Sequence, residues 1–423
     1  MLERQVAVGH PRDVVADAAL QPVIPDSRSG FSAEKRWVRG DRAEQFGNHP
    51  RRLPVRPRNH RMVVKVFEKI FPQGREFPAD HRAERGQAHG VVADVLERGG
   101  LAPREVGRGL ADEIFDDAAN MGINVIRTWA FNDGKRQWNA LQTSPGSYKE
   151  STFVGLDHVI AKAKEKGIYL VLSFGNNWND YGGIKQYLDW SPTAVNKEHN
   201  EFFTDINTRQ YYKDNIKAIL ERENTITGIK YKDEPAILAW ELINEPRVSK
   251  DFSGDILNRW IVDMSTYVKL IDKNHLVTTG CEGFYVDADK NDWKLNGREG
   301  GDFIRNHSMP TIDIASFHLW PCANNYCMTL EECDKWIKMH ADDAKKMNKP
   351  VILFEYGEYR GYNGDTVERD KLYKLVMEKA GEYGVVGTNF WFLMHTDYGR
   401  YDDGCGVYYP EDKVTIDIIK SYK

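Results

Sequence analysis

The chain has 423 residues, 41% hydrophobic and 29% charged, which suits a soluble globular protein of one large domain or two smaller ones. A formal net charge of -5 gives no reason to expect nucleic acid or an anionic membrane as partner. No uninterrupted apolar run reaches membrane-spanning length, and residues 1–6 lack the apolar core of a secretion signal.

Residues 1–110 stand apart in usage. They hold 17 Arg, 3 Lys and no Tyr or Cys, against 11 Arg, 27 Lys and every Tyr and Cys in 111–423. Their hydrophobic periodicity is poor, although the short apolar runs 62–67 and 91–96 are strand candidates. Three readings are open: a disordered basic extension, a nucleic-acid-binding arm, or sequence that the natural protein does not translate. The 14 acidic residues nearly balance the basic ones and weigh against the second. Residues 1–110 are therefore expected to be an anomalous Arg-rich segment, disordered or poorly packed, ahead of a folded domain at 111–423.

That domain alternates. A helix over 110–120 leads to a strand over 123–129, then come a helix over 153–166 and a strand over 168–174. A helix over 209–223 precedes a strand over 237–243, and a helix over 255–271 precedes a strand over 276–280. Strands over 314–318, 351–355 and 386–391 follow, with helices over 330–347 and 367–382 between them. Trp260, Met264, Tyr267, Val268 and Ile271 share one buried helix face. Gly122, Gly167 and Gly384 sit just before strands, where helix C-caps fall. Repeated alternation implies an α/β fold with a parallel sheet. Seven strands with polar or aromatic ends suggest a (β/α)8 TIM barrel. A doubly wound open sheet is the rival, but no Gly-rich phosphate loop follows any strand. The barrel's first strand has to precede the 110–120 helix, where only the anomalous segment is available, so it is expected to be missing or atypical.

Two acidic stretches carry the chemistry: Trp240-Glu241-Leu242-Ile243-Asn244-Glu245-Pro246 and Leu353-Phe354-Glu355-Tyr356-Gly357. Each ends an apolar run on a carboxylate, which is costly to bury unless paired or used. Two carboxylates from separate strands meet the need of glycosidic bond cleavage. Glu245 is the candidate general acid/base, with burial and a nearby carboxylate expected to raise its pKa. Glu355 is the candidate nucleophile, held ionised by Arg127. The bland alternatives are a helix-capping Glu245 and a buried Glu355–Arg127 ion pair without chemistry. Other strand ends add Trp129, Asn177, Trp178, Asn244, Glu282, His318, Trp320 and Trp391 as substrate-binding candidates. Asn244 suits a sugar 2-hydroxyl, and Trp391 suits the face of the sugar at the cleavage point. No Gly-x-Ser-x-Gly elbow or His-Glu-x-x-His pattern is present. Among five cysteines, Cys322, Cys327 and Cys333 lie close enough in sequence for a local disulfide in an oxidising compartment; zinc lacks the ligand spacing.

Read together, these residues resemble glycoside hydrolase family 5 of clan A, and within it the endo-β-1,4-mannanases of plants, fungi and animals. Further matching stretches are Arg127-Thr128-Trp129-Ala130-Phe131-Asn132-Asp133, Leu141-Gln142-Thr143-Ser144-Pro145-Gly146, Asn176-Asn177-Trp178-Asn179-Asp180-Tyr181-Gly182-Gly183 and Ser316-Phe317-His318-Leu319-Trp320-Pro321. The likeness runs from about residue 114 to the C-terminus. It implies a retaining double displacement on β-1,4-mannan, glucomannan or galactomannan, with Glu245 as acid/base and Glu355 as nucleophile. It implies no cofactor and a secreted protein; a monomer, with no metal and with neither nucleic acid nor membrane as partner, is expected. A retaining pair places its carboxyl groups about 5–5.5 Å apart. The chain departs from the family at two places. The family usually has Tyr two residues after the strand-six His, where this chain has Trp320, and the family's first strand has no recognisable match. A β-1,4-glucanase of the same clan and a catalytically impaired carbohydrate-binding relative are the alternatives.

Overall fold

Eight short parallel strands close into a ring, with helices outside it. The computed structural model describes residues 88–92 and 104–422, apart from 136–138, 250, 287, 324–325, 362–363 and 397–401. These all fall in one compact unit, Pro57–Lys423; a second unit, Met1–Arg56, lies outside the described residues. The barrel strands and the main helices are, in order, β1 (Ala88–Val92), α1 (Arg104–Met121), β2 (Val125–Trp129), α2 (Glu150–Lys166), β3 (Tyr169–Ser173) and α3 (Ile206–Glu221). There follow β4 (Ile237–Glu241), α4 (Asp255–Ile271), β5 (Leu276–Thr278), α5 (Phe303–His307), β6 (Ala315–Leu319) and α6 (Leu330–Lys346). The chain ends with β7 (Val351–Tyr356), α7 (Val367–Tyr383), β8 (Gly387–Phe390) and α8 (Lys413–Ser421).

The strand order is β5-β4-β3-β2-β1-β8-β7-β6, and a parallel bridge between Thr278 and Ile314 joins the two ends. The first strand is thus present and atypical. It comes from the Arg-rich segment, with Val91 opposite Ile126 on one side and Phe390 on the other. Its sequence, Ala-His-Gly-Val-Val, has a glycine at its centre and little strand character. The candidate run 91–96 overlaps only its last two residues, and the run 62–67 lies outside the described residues.

Five of the seven later strands fall within the expected ranges, β6 and β7 each run one residue past theirs, to Leu319 and Tyr356, and α4 has the expected bounds. Gly122, Gly167 and Gly384 have φ of 77°, 68° and 85°, the left-handed geometry that lets a helix stop and a strand begin. Inside the ring, Val125, Val171, Ala239, Leu276, Ile314, Ile352 and Phe354 form an apolar plug. Outward-facing strand residues share a larger core with the helices, where Trp240 stacks on Phe174 at 5.0 Å. Polar residues sit above the plug, toward the strand C-termini, where barrels of this kind carry function.

Period-two alternation puts Arg127 on the face of Val125, and Glu241 on the face of Ala239. Glu355 breaks that rule. Ile352 and Phe354 already face inward, so strict alternation turns Glu355 outward. A register shift between Leu353 and Glu355, against β6, inserts the extra residue that re-aims it. Cys322 and Cys327 form a disulfide in the loop after β6, while Cys281, Cys333 and Cys405 are buried free thiols. No helix among the described residues is long and apolar enough to cross a membrane.

Candidate active site

The site grows from a buried guanidinium on β2. Arg127 is fully buried and donates to both oxygens of Glu241 at 2.7 Å, to Glu355 Oε2 at 2.9 Å and to Asn244 Oδ1 at 2.6 Å. A planar fork of five donors is the one side chain that can tie three strands together this way. The arrangement also satisfies the buried charge, which would otherwise be prohibitive.

Glu245 lies just beyond β4, with φ of 52°. A non-glycine residue pays roughly 1–2 kcal/mol for that left-handed geometry. Its N–H donates to Gly280 O at 2.9 Å, which fixes the turn. Gly280 is needed there: a Cβ at that position would lie 2.0 Å from Ile243 O. The Glu245 carboxylate accepts from Trp178 Nε1 at 2.7 Å and meets His318 Nδ1 at 2.7 Å. Glu355 also accepts from Trp320 Nε1 at 2.8 Å. One ligand atom from each of Glu245, His318 and Glu355 lies within 4.8 Å of the other two. By spacing the trio can hold a metal ion, but His318 Nδ1 is already committed to Glu245, and Arg127 places positive charge on Glu355.

Burial raises Glu245, but the hydrogen bond and charge of His318, with help from Trp178, outweigh it and hold the carboxyl below its usual range. Burial raises Glu355, and the charge of Glu245 adds to this; His318, Arg127 and Trp320 only partly offset them. Burial lowers His318, yet the charges of Glu355 and Glu245 carry it above its usual value. Which carboxyl is raised is therefore the reverse of the sequence expectation. His318 decides it, a partner that composition alone does not weigh. The two groups titrate together, so a proton bound here belongs to the Glu245–His318 pair and not to either residue alone.

The remaining expected residues surround this centre. Asn244 also donates to Asn176 Oδ1 at 3.0 Å. Asn177 braces the loop: its N–H donates to Asn244 O, and its Oδ1 accepts the N–H of Arg247 at 3.0 Å. Glu282 accepts twice from Arg247, at 2.6 and 2.7 Å, and burial and the charge of Glu245 push it up to about 7 against that pull. Trp129 lies beneath the Arg127 guanidinium at 5.0 Å, with Trp391 6.4 Å away. Trp178 is 40% exposed, a large apolar face at the mouth. A cleft beside His318 and Trp320 is further lined by Arg247, Phe284, Trp293 and Lys294.

Sequence reasoning missed Glu241 and Arg247 as members of the site. The signal for Glu241 was parity: it is two residues from Ala239 on an inward face, and Arg127 needs more than one counter-charge. Arg247 directly follows Glu245-Pro246 but ends no strand.

A family model described as glycoside hydrolase family 5 β-mannosidase-like matches residues 105–400. Mannan endo-1,4-β-mannosidase 7 of Arabidopsis thaliana is 40% identical over 323 residues, covering 72% of this chain and 74% of that protein. Mannan endo-1,4-β-mannosidase 2 of Oryza sativa is 39% identical over 382 residues, covering 85% and 82%. Among solved structures, the endo-β-1,4-mannanase of Thermotoga petrophila has a TM-score of 0.69 at 31% identity, covering 80% of this chain and 76% of that one. That of Rhizomucor miehei has a TM-score of 0.70 at 28% identity, covering 83% and 97%.

Proposed function

The chain belongs to glycoside hydrolase family 5, in its β-mannosidase-like group, and from that premise we propose how its own residues cut β-1,4-linked mannan within the chain. The observation that carries the reading is the pair of glutamates, one from the turn after β4 and one from β7, with a carboxylate oxygen of each within 4.8 Å of the other. Oxygens that near each other suit a retaining pair, whose carboxyl groups stand closer than those of an inverting pair with its intervening water. A retaining double displacement fits it. Glu355 attacks the anomeric carbon, forming a carbon–oxygen bond to the enzyme as the glycosidic bond breaks. The proton held by Glu245 and His318 goes to the departing oxygen. Water then attacks the same carbon, returning its proton to Glu245 and releasing Glu355.

Arg127 and Trp320 each occupy one oxygen of Glu355, so the carboxylate cannot rotate away from the sugar. Asn244 is held by Arg127 and Asn176 and meets the sugar 2-hydroxyl, a contact that strengthens at the oxocarbenium-like transition state. Trp391 forms the floor for that sugar, and Trp129, Trp178 and the Glu282–Arg247 pair line the neighbouring positions. The Cys322–Cys327 bond supports action in an oxidising compartment outside the cell.

Reducing-sugar release from mannan tests the reading. Glu245→Ala should cost about 10²–10⁴-fold, the usual worth of a general acid, and Glu355→Ala at least as much. Near-normal activity in either variant overturns the assignment. Faster hydrolysis of carboxymethylcellulose than of mannan would favour the glucanase alternative.

A further inference from the structure

Trp391 leaves the end of β8 half-buried, with its backbone held at both sides. Its N–H donates to Tyr356 O at 2.8 Å, and its O accepts the Tyr373 hydroxyl at 3.3 Å. Its ring neighbours, Trp129 at 6.4 Å and Trp320 at 6.5 Å, are apolar surfaces. Such ring contacts narrow the orientations open to the indole but are met over a range of tilts, so they do not fix one. The directional contact is the indole N–H, which donates to Asp403 Oδ2 at 2.8 Å.

Asp403 is itself held. Its Oδ1 accepts the N–H of Cys405 at 2.9 Å. Asp402 accepts the N–H groups of Gly404 and Gly406 and the Tyr408 hydroxyl. Arg360 and Arg369 both donate to Gly406 O, at 2.7 and 2.8 Å. Residues 402–406 are thus a braced loop that carries one exposed carboxylate to the edge of one indole.

We propose that Asp403 is a positioning residue for the cleavage site: it fixes the rotation of Trp391, and so the ring face that the bound sugar meets. The inference rests on the proposed role of Trp391 as sugar floor. A flat aromatic face helps only at the right tilt, because reacting groups lose rate steeply when the sugar is misplaced.

The test is a double-mutant cycle on mannohexaose, with melting temperatures measured alongside. Asp403→Ala should lower kcat/KM about tenfold, the worth of one well-aligned hydrogen bond to a charged group. Asp403→Asn keeps an acceptor oxygen and should recover most of that loss. Trp391→Phe keeps an aromatic face without the N–H and should match Asp403→Ala. The double variant should be no slower than Trp391→Phe alone. If Asp403→Ala does not fold, Asp403→Ser, too short to reach the indole, takes its place in the cycle. Wild-type rates in Asp403→Ala, or a loss that multiplies in the Trp391→Phe background, overturn the positioning role. Absence of mannan hydrolysis in the wild type would instead overturn the proposed function.

Discussion

At the scale of single residues, the site depends on which groups hold Glu355 and where its partner's proton rests. Trp320 supplies an indole N–H that donates and cannot accept, so it holds Glu355 more strongly in its ionised form than in its protonated form. Trp320→Phe should lower kcat/KM about ten- to a hundredfold, as expected for losing a bond to a charged acceptor, whereas Trp320→Tyr should retain more activity. Equal losses in the two would show that ring bulk, not the donor, matters. The pH profile follows from the same groups. Glu355 is raised, so kcat/KM should fall on acidification at pH values above the ordinary carboxylate range. His318 is also raised, so the shared proton should leave only above the ordinary histidine range, setting the alkaline limb. A dinitrophenyl oligomannoside, whose leaving group needs no proton, should lose that limb and keep the acidic one. Persistence of the alkaline limb would count against Glu245 and His318 as the proton source. Glu245 and Glu355 were legible in the sequence because a charge ending an apolar strand demands an explanation. The direction of their pKa shifts was not, because it depends on His318, an imidazole 73 positions beyond Glu245 in the chain.

At the scale of elements, alternation and capping glycines revealed α4 and seven strands, since their periodicity runs the length of each element. The bulge in β7 was hidden: nothing in Leu353-Phe354-Glu355 marks the point where two successive residues face the same way. Between β5, α5 and β6 lies a second polar device. His307 Nδ1 donates to Phe303 O at 2.7 Å, while its Nε2 is 2.7 Å from the Thr279 hydroxyl and accepts the Ser316 N–H at 3.2 Å. Burial pushes this histidine down to about 3, so it is neutral in the fold. The unfolded chain takes up its proton near pH 6.5, and the native chain only near pH 3. The native state therefore binds fewer protons in that window, and stability falls as pH falls through it. The melting temperature of the wild type should drop from pH 7 to pH 4. His307→Asn should be less stable at pH 7 but show a shallower drop; an unchanged slope would exclude His307 as a source.

At the scale of the whole molecule, closure of the ring depends on five residues from the segment of unusual composition. β1 bonds to strands on both sides, and without it β2 and β8 become open edges. A chain beginning at Pro57, the start of the compact unit, should fold and hydrolyse mannan. One beginning after Val92 should be insoluble or lack a cooperative thermal transition. Equal stability of the two, by calorimetry, would show that the ring does not need β1. The barrel was legible as a count of strands and helices. Its first strand was not, because closure is a property of pairing, and Ala-His-Gly-Val-Val acquires its identity only from its neighbours.

Arg127 is sealed beneath the cleft, with no surface reaching water. Solutes that compete for exposed ion pairs have no route to it, and it lets go of its acidic partners only when the strands bearing them separate. Denaturant titrations followed by enzymatic turnover and by circular dichroism should consequently superimpose, so that residual catalysis in a damaged sample counts the intact molecules.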